Sequence, residues 1–362
     1  MKLLLDNIIF SLQNAGGISV VWSEHIKRIV NESQIDVEFI EYQNNNIFRK
    51  EIDLSKEIIK NNTIPFGFER YLNPSYKEFK GIFHSSYYRY IDKPNIINVT
   101  TVHDFTYEYF RKGLPKLIHH YQKSNAIKNS QQIICVSENT KKDLLKFNPK
   151  VDESLIKVIY NGVDAIFSPL IYNDKKLLAE LIPFSSGEFV LYVGDRKGLY
   201  KNFNLVVSAC KITNQPLVMV GGGGLTKEEH QILIESLGAN GFKHLGGINN
   251  VQLNMIYNNA FCLLYPSLYE GFGIPILEAQ KTGCPVISTN SSSVPEVAGE
   301  GAILLNDVSI NNIADTLNYM KSNSSMLHTL KKEGFKNAEL FSWDKCYNET
   351  KDLYGELNEK YF

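Results

Sequence analysis

The chain has 362 residues, 43% of them hydrophobic and 21% charged, with a net charge of -1. That length suits two domains rather than one core, and the near-zero charge gives no electrostatic footprint for nucleic acid. Five scattered cysteines (Cys135, Cys210, Cys262, Cys284, Cys346) show no paired spacing for zinc and read as reduced. The N-terminus is too short for a signal peptide, and no run of about eighteen apolar residues occurs, so a cytoplasmic protein is expected.

In chain order, Lys2 to Asp6 reads as a strand, followed by Gly16-Gly17 and a helix carrying Ile18, Val21, Trp22, Ile26 and Ile29. Strand, glycine pair and helix open a doubly wound domain, in which ligands sit at strand C-termini. Gly16 and Gly17 would let a ligand approach the backbone, although a plain tight turn explains them as well. Asp36 to Glu41 is a second strand. Residues 42 to 80, with Asn44-Asn-Asn46 and Ile64-Pro-Phe-Gly67, read as irregular. Short strands follow at Ile82 to Arg89 and Ile96 to Val102. The second ends on His103-Asp104, at the ligand edge of a parallel sheet. His103 could bond a sugar hydroxyl or the reacting centre, and Asp104 could instead orient its loop.

Residues 111 to 129 carry Arg111, Lys112, Lys116, Lys123 and Lys128 with His119 and His120. This basic helix is either a solvated face or a surface for a phosphorylated acceptor or anionic lipid. Gln132 to Val136 is a strand, Ser137 caps a helix, and Ile156 to Tyr160 is the last strand before Asn161-Gly162-Val163-Asp164. A polar stretch, 170 to 187, including Asn173-Asp-Lys-Lys176, marks a boundary. The alternation then restarts with strands at 189–193, 217–220, 243–245, 261–265 and 286–288, which predicts a second parallel sheet covered by helices. The domains are placed at 1–168 and 169–341, followed by a terminal helix, 342–362, with Trp343, Tyr347 and Tyr354 on one side.

Two clusters carry chemistry. Gly194-Asp195-Arg196-Lys197-Gly198 and Tyr200-Lys201-Asn202 place three cations beyond a strand end, where an Arg fork and a Lys point charge can hold a diphosphate. Tyr265-Pro-Ser-Leu-Tyr-Glu270-Gly-Phe-Gly-Ile-Pro275-Ile-Leu-Glu278 runs from a strand through a glycine turn into a helix opened by Pro275. The amides of Gly271, Phe272 and Gly273 can face an anion there, while Glu270 and Glu278 accept hydroxyls. Phosphate and hydroxyl recognition together suit a nucleotide sugar. Capping and solvation are the bland reading of the two carboxylates.

Together these residues resemble the retaining glycosyltransferases of family 4. The E-x7-E pattern at Glu270 and Glu278 is the most specific element. Gly16-Gly17, Val102-His103-Asp104, Val136-Ser137, Asn161-Gly162-Val163-Asp164, Arg196 with Lys201, Val294-Pro295-Glu296-Val297 and Phe341-Ser-Trp343 support it. The resemblance implies the α/β GT-B architecture: two Rossmann-like doubly wound parallel-sheet domains facing a central cleft. It also implies an N-terminal acceptor domain, a C-terminal donor domain and a terminal helix that crosses back onto the first domain.

By resemblance, Arg196 and Lys201 hold the diphosphate, Glu278 the ribose, and Glu270 with Phe272 and Gly273 the donor sugar. His103 reaches the sugar, Gly17 the phosphate or acceptor, and Gly246 and Ile248 lie by the base. Gly16, Asp104, Arg111 and Lys112 are acceptor-side candidates. Lys197 could stand in for Lys201, which is preferred because Lys-Asn-Phe starts a helix. No Asp-x-Asp occurs, so no metal is expected, and no cofactor is expected because the nucleoside-diphosphate sugar is a substrate.

The implied reaction moves a hexose from a GDP- or UDP-sugar to a saccharide or lipid-linked oligosaccharide, in bacterial surface polysaccharide synthesis such as lipopolysaccharide. A GT-B sugar-nucleotide epimerase, a glycoside phosphorylase and a non-catalytic nucleotide-sugar-binding protein are the rivals. Residues 1–165 hold 22 Lys and Arg against 19 Asp and Glu, and the remainder 16 against 20. That polarity agrees with peripheral association of the first domain with the inner membrane.

Overall fold

The computed structural model describes residues 1–61, 67–76, 79–171 and 175–362. The irregular stretch expected at Ile64 to Phe66, and the polar boundary residues Asn173 and Asp174, lie outside the described residues. Two compact units form: Met1–Gly162 with Trp343–Phe362, and Val163–Ser342. The first therefore ends at Gly162, six residues before the boundary placed at 168.

Among the described residues, seven parallel strands build the first unit: β1 (Lys2–Asp6), β2 (Asp36–Glu41), β3 (Ile59–Asn61), β4 (Gly81–Ser85), β5 (Ile96–Val102), β6 (Gln132–Cys135) and β7 (Ile156–Val158). Their order is β3-β2-β1-β4-β5-β6-β7. The inner strands are covered on both faces, so β1 and β5 read as nearly unbroken apolar or β-branched runs instead of alternating. Residues 42–80 are not irregular throughout. They contain two 3-10 turns, Arg49–Glu51 and Lys56–Ile58, and the edge strand β3. Three residues at a sheet edge beside Lys56 and Glu57 carry too short an apolar run to announce a strand.

The terminal helix Trp343–Tyr361 belongs to this first unit and buries Trp343, Tyr347, Leu353, Tyr354 and Leu357. Each such side chain contributes on the order of 1.5–3 kcal/mol when removed from water. The Tyr354 hydroxyl sits 2.6 Å from His84 Nδ1 on β4 and 3.1 Å from His25 Nε2. Arg28 Nε donates to Asp344 at 2.8 Å and Lys351 Nζ to Glu32 at 3.0 Å.

Among its described residues the second unit has six parallel strands: β8 (Val190–Val193), β9 (Leu217–Val220), β10 (Phe242–Leu245), β11 (Cys262–Tyr265), β12 (Val286–Thr289) and β13 (Ala302–Leu305). Their order is β10-β9-β8-β11-β12-β13. Val190, Leu217, Met219, Leu264 and Ile287 enter one core with Val206, Cys210, Leu317 and Met320 of the covering helices. β13 is an addition to the strands expected from sequence; it is half-buried along its length at the sheet edge. In both units the strand order reverses beside the first strand, between β1 and β4 and between β8 and β11. At such a point the connections diverge to opposite faces and leave a crevice at the strand C-termini. Among the described residues, no helix is long and apolar enough to cross a membrane.

Candidate active site

The chemistry of the second unit gathers at the C-terminal ends of β8 and β11. Beyond β8 the chain passes Gly194 and makes a 3-10 turn, Leu199–Lys201; Asn202 then takes a left-handed φ of 54° to start the helix Phe203–Thr213. Two bonds tie this turn to the loop after β11: Asn202 Nδ2 donates to Pro266 O at 2.8 Å, and Leu268 N to Tyr200 O at 2.8 Å. Lys201 is thereby held across the reversal point. Its Nζ lies 2.5 Å from Glu270 Oε1 and 3.3 Å from the Tyr265 hydroxyl. Burial alone would lower the Lys201 pKa, but the Glu270 carboxylate and Tyr265 raise it well above its ordinary value. The ammonium therefore stays charged. Lys197 is exposed, with its amide donating to Asp195 Oδ1 at 3.2 Å, whereas Lys201 is turned inward onto Glu270.

Two serines shape the turn that carries Glu270. The Glu270 amide donates to Ser292 Oγ at 2.8 Å, and Ser293 Oγ donates to the carbonyls of Glu270 and Phe272, both at 2.9 Å. Gly273 then adopts φ 110° and the helix Ile274–Thr282 begins with no side-chain cap, Pro275 being its second residue. An uncapped helix N-terminus favours an anion. One turn in, Glu278 Oε2 accepts from the Tyr257 hydroxyl at 2.8 Å. Burial, reinforced by the Asp164 carboxylate and opposed by Tyr257, pushes the Glu278 pKa up to about 7.

Arg196 is placed differently from the diphosphate clamp expected of it. Its Nε pairs with Glu229 at 3.1 Å, and its terminal nitrogens donate to the carbonyls of Gly221 (2.5 Å), Gly222 (3.4 Å), Gly223 (3.0 Å) and Gly224 (3.3 Å). Backbone carbonyls attract the fork as phosphate oxygens would, and the glycine loop after β9 presents four of them. Gly222 has φ +71°, and a Cβ there would lie 2.7 Å from the guanidinium, so both its conformation and its space require glycine. His244 on β10 joins the cluster, with Nε2 3.1 Å from Gly221 O. Gly246, just past β10, is exposed, and Ile248 is half-buried.

In the first unit His103 follows β5 and lines a cavity with Trp22, His25, His84 and Asn161, and with Trp343 and Tyr347 of the terminal helix. Burial drives its pKa down to about 4, with Asp104 opposing and Lys123 reinforcing; the imidazole is neutral at pH 7. Asp104 orients its loop: Oδ1 accepts from Thr106 N at 2.8 Å, and its carbonyl accepts from the buried Lys123 at 2.7 Å. Gly16 caps the helix Gly17–Ile29 in extended backbone, and a Cβ on Gly17 would meet nothing. A helical turn, Ile9–Leu12, separates this glycine pair from β1. Arg111 and Lys112 are exposed in the turn before the helix Gly113–Lys128.

The structure thus brings together Lys201 with Glu270, and Arg196 with the glycine loop; Glu278 lies one helical turn beyond Phe272 and Gly273. Sequence reading missed Tyr257, Tyr265, Glu229, Ser292 and Ser293. Tyr265 was visible as the last residue of a strand, whereas the other four act through contacts distant in sequence.

Two family profiles match the chain, one in each unit: "Glycosyltransferase Family 4" over residues 56–166 and "Glycosyl transferases group 1" over 174–337. The chain belongs to the family 4 type of glycosyltransferases. O-antigen chain mannosyltransferase B of Escherichia coli is 26% identical over 273 residues, spanning 71% of this chain and 69% of that one. The UDP-Gal:alpha-D-GlcNAc-diphosphoundecaprenol alpha-1,3-galactosyltransferase of Escherichia coli is 28% identical over 276 residues, 72% of this chain and 69% of that one. Among solved structures, Anabaena Alr3699/HepE in complex with UDP and glucose superposes with a TM-score of 0.74 at 16% identity, covering 98% of this chain and 99% of that one. The glycosyltransferase therefore has the GT-B fold.

Proposed function

We propose that this glycosyltransferase moves a hexose, with retention, from a nucleoside-diphosphate sugar to a saccharide or lipid-linked oligosaccharide in bacterial surface polysaccharide synthesis, without a metal. The largely buried Lys201–Glu270 pair at the reversal point of the second sheet, one helical turn from Glu278, carries the reading. It offers a permanent cation for a leaving diphosphate and separate carboxylates for two sets of hydroxyls. The names of the relatives supply mannosyl and galactosyl transfer and a diphosphate-linked lipid acceptor, and the Anabaena protein was solved with UDP and glucose.

Departure of the nucleoside diphosphate builds negative charge on its β-phosphate. Lys201 is already positioned and charged, so it stabilises that charge as it forms. Glu278 accepts from the ribose hydroxyls and Glu270 from the sugar. For Arg196 to reach the phosphates, it would exchange glycine-loop carbonyls for phosphate oxygens. His103, held neutral, can hydrogen-bond a sugar hydroxyl without carrying charge. Same-face attack, with the leaving phosphate oxygen taking the acceptor's proton, accounts for retention without a protein nucleophile. Metal independence belongs to the proposal because Lys201 supplies the charge and the chain has no Asp-x-Asp.

The test follows nucleoside diphosphate release and the anomeric configuration of the product by proton NMR. The reading expects an α product from an α donor. An inverted product, or a glycosyl adduct trapped on Glu270 or Asp104, would refute the mechanism.

A further inference from the structure

The loop between β11 and the helix Ile274–Thr282 carries Glu270 and leaves the sheet. Its carbonyls have no strand partner there and need donors from elsewhere. The end of β12 and the turn after it supply them. Ser288 Oγ donates to Tyr265 O at 2.7 Å, Thr289 Oγ1 to Ser267 O at 2.6 Å and Ser291 Oγ to Leu268 O at 3.0 Å. Ser293 Oγ donates to the carbonyls of Glu270 and Phe272, both at 2.9 Å. Ser292 Oγ reverses the sense and accepts from Glu270 N at 2.8 Å. Asn290, between them, turns instead toward β13: its amide donates to Leu305 O at 2.9 Å and its Nδ2 to Asn306 Oδ1 at 2.7 Å.

The hydroxyls thus follow the loop from Tyr265 to Phe272. Water would satisfy the same carbonyls in an open loop without fixing their place. Here Ser267, Ser288, Thr289 and Ser293 are buried, and the loop is held in register with β12. Ser292 has a φ of 49°. A residue with a side chain takes that left-handed conformation at a cost, and keeps it only where its surroundings over-determine it. The hydrogen bond its side chain makes from there is the one to the Glu270 amide. The rest of the site is fixed independently. Lys201 is tied down by Asn202 on Pro266 O and by Leu268 N on Tyr200 O, and Glu278 by the Tyr257 hydroxyl.

We propose that Ser292 and Ser293 are positioning residues for the donor sugar: they fix the Glu270 carboxylate so that it accepts from one arrangement of hexose hydroxyls and refuses the epimer. The proposal rests on the transferase reading above and adds to it the source of sugar selectivity. A carboxylate distinguishes hydroxyls by distance and direction, and both require an immobile backbone beneath it. Once it is immobile, an epimer that places the hydroxyl elsewhere leaves buried polar groups unpaired. The nucleoside diphosphate half does not depend on the two serines, because Glu278 and Lys201 hold it.

The test titrates the full chain calorimetrically with UDP, GDP, ADP and dTDP and with their sugars in epimeric pairs, such as UDP-glucose against UDP-galactose and GDP-mannose against GDP-glucose. Ser292→Ala should weaken the preferred nucleotide sugar by roughly ten-fold, narrow its margin over the epimer by a similar factor, and leave the matching nucleoside diphosphate within about two-fold. Ser293→Ala should give the same pattern. Ser292→Gly relieves the left-handed backbone while removing the acceptor. Its melting temperature should therefore stay close to that of the unaltered chain, yet it should lose the sugar as Ser292→Ala does. Ser292→Asn, which tolerates the left-handed region and carries an acceptor oxygen, should recover most of the sugar affinity. Equal weakening of nucleoside diphosphate and nucleotide sugar would make the serines merely structural and overturn the proposal. So would an unchanged epimer preference in Ser292→Ala, or a Ser292→Asn no better than Ser292→Ala. If the unaltered chain binds a nucleoside diphosphate but shows no epimer preference, the proposal alone fails. If it binds none of these ligands, the transferase reading fails and takes the proposal with it.

Discussion

Replacing Glu278 by Gln should stabilise the protein at alkaline pH while weakening donor binding. The Glu278 pKa is raised from 4.5 to about 7, first by burial. Between those values the folded state holds a proton that the unfolded state has released, so stability falls as pH rises through that window. Above pH 7 the full cost applies. A difference of about 2.5 units corresponds to about 3 kcal/mol, an upper bound because the half-buried carboxylate retains some hydration.

Gln keeps an acceptor for the Tyr257 hydroxyl, now 2.8 Å from Oε2, and removes the buried charge. At pH 8 the variant should be more stable by up to about 3 kcal/mol; near pH 4.5 the two proteins should be close to equal. Chemical denaturation at pH 5 and pH 8, read with a probe for the second unit, measures this, since the two units can unfold separately. The same variant should bind the donor about ten-fold more weakly, because an amide offers one acceptor where a carboxylate offers two. An equal stability difference at both pH values, or a less stable variant at pH 8, would refute the reasoning.

Lys201→Ala should lower kcat by roughly two orders of magnitude or more, on the scale of losing one transition-state charge donor; single-turnover rates check this. Arg196→Ala leaves the Gly222–Gly224 carbonyls and Glu229 Oε1 without the Arg196 donor, and should cost about 1–3 kcal/mol in unfolding experiments. In the first unit, burial and then Arg28 depress the His25 pKa to about 4, so the unfolded state binds a proton first as pH falls. Stability should drop by up to about 3 kcal/mol between pH 6.5 and pH 4, and His25→Gln should flatten that slope. Chelation with EDTA should leave turnover unchanged in an assay of nucleoside diphosphate release.

Much of the fold was legible because parallel strands buried on both faces appear as apolar runs, and their alternation with helices marks each βα unit. Edge strands were not. β3 has three residues in a charged setting, and β13 is half-buried, so neither carries the signature of an inner strand. The site divides similarly. Lys201, Glu270 and Glu278 stand in local motifs, and their positions follow from strand ends and a helix start. The partners of Arg196 did not show, because the acceptors are carbonyls of a glycine loop 25 or more residues away, and backbone atoms leave no trace in residue type. Ser292 and Ser293 act through hydroxyls more than twenty residues beyond the turn they support. The apolar outer face of Gly113–Lys128, with Leu114, Leu117 and Tyr121 exposed, does not stand out in sequence because lysines are interleaved with it.

The central claim is that the second unit grips a nucleotide sugar through Lys201, Glu270 and Glu278. Thermal unfolding against a panel of UDP-, GDP-, ADP- and dTDP-sugars tests it most directly. A true donor at about a hundred times its Kd adds about 2.7 kcal/mol of stability, so one nucleotide class should raise the melting temperature by several degrees, and Glu278→Ala should abolish that rise. No shift with any nucleotide sugar, or an equal shift in Glu278→Ala, would contradict the account.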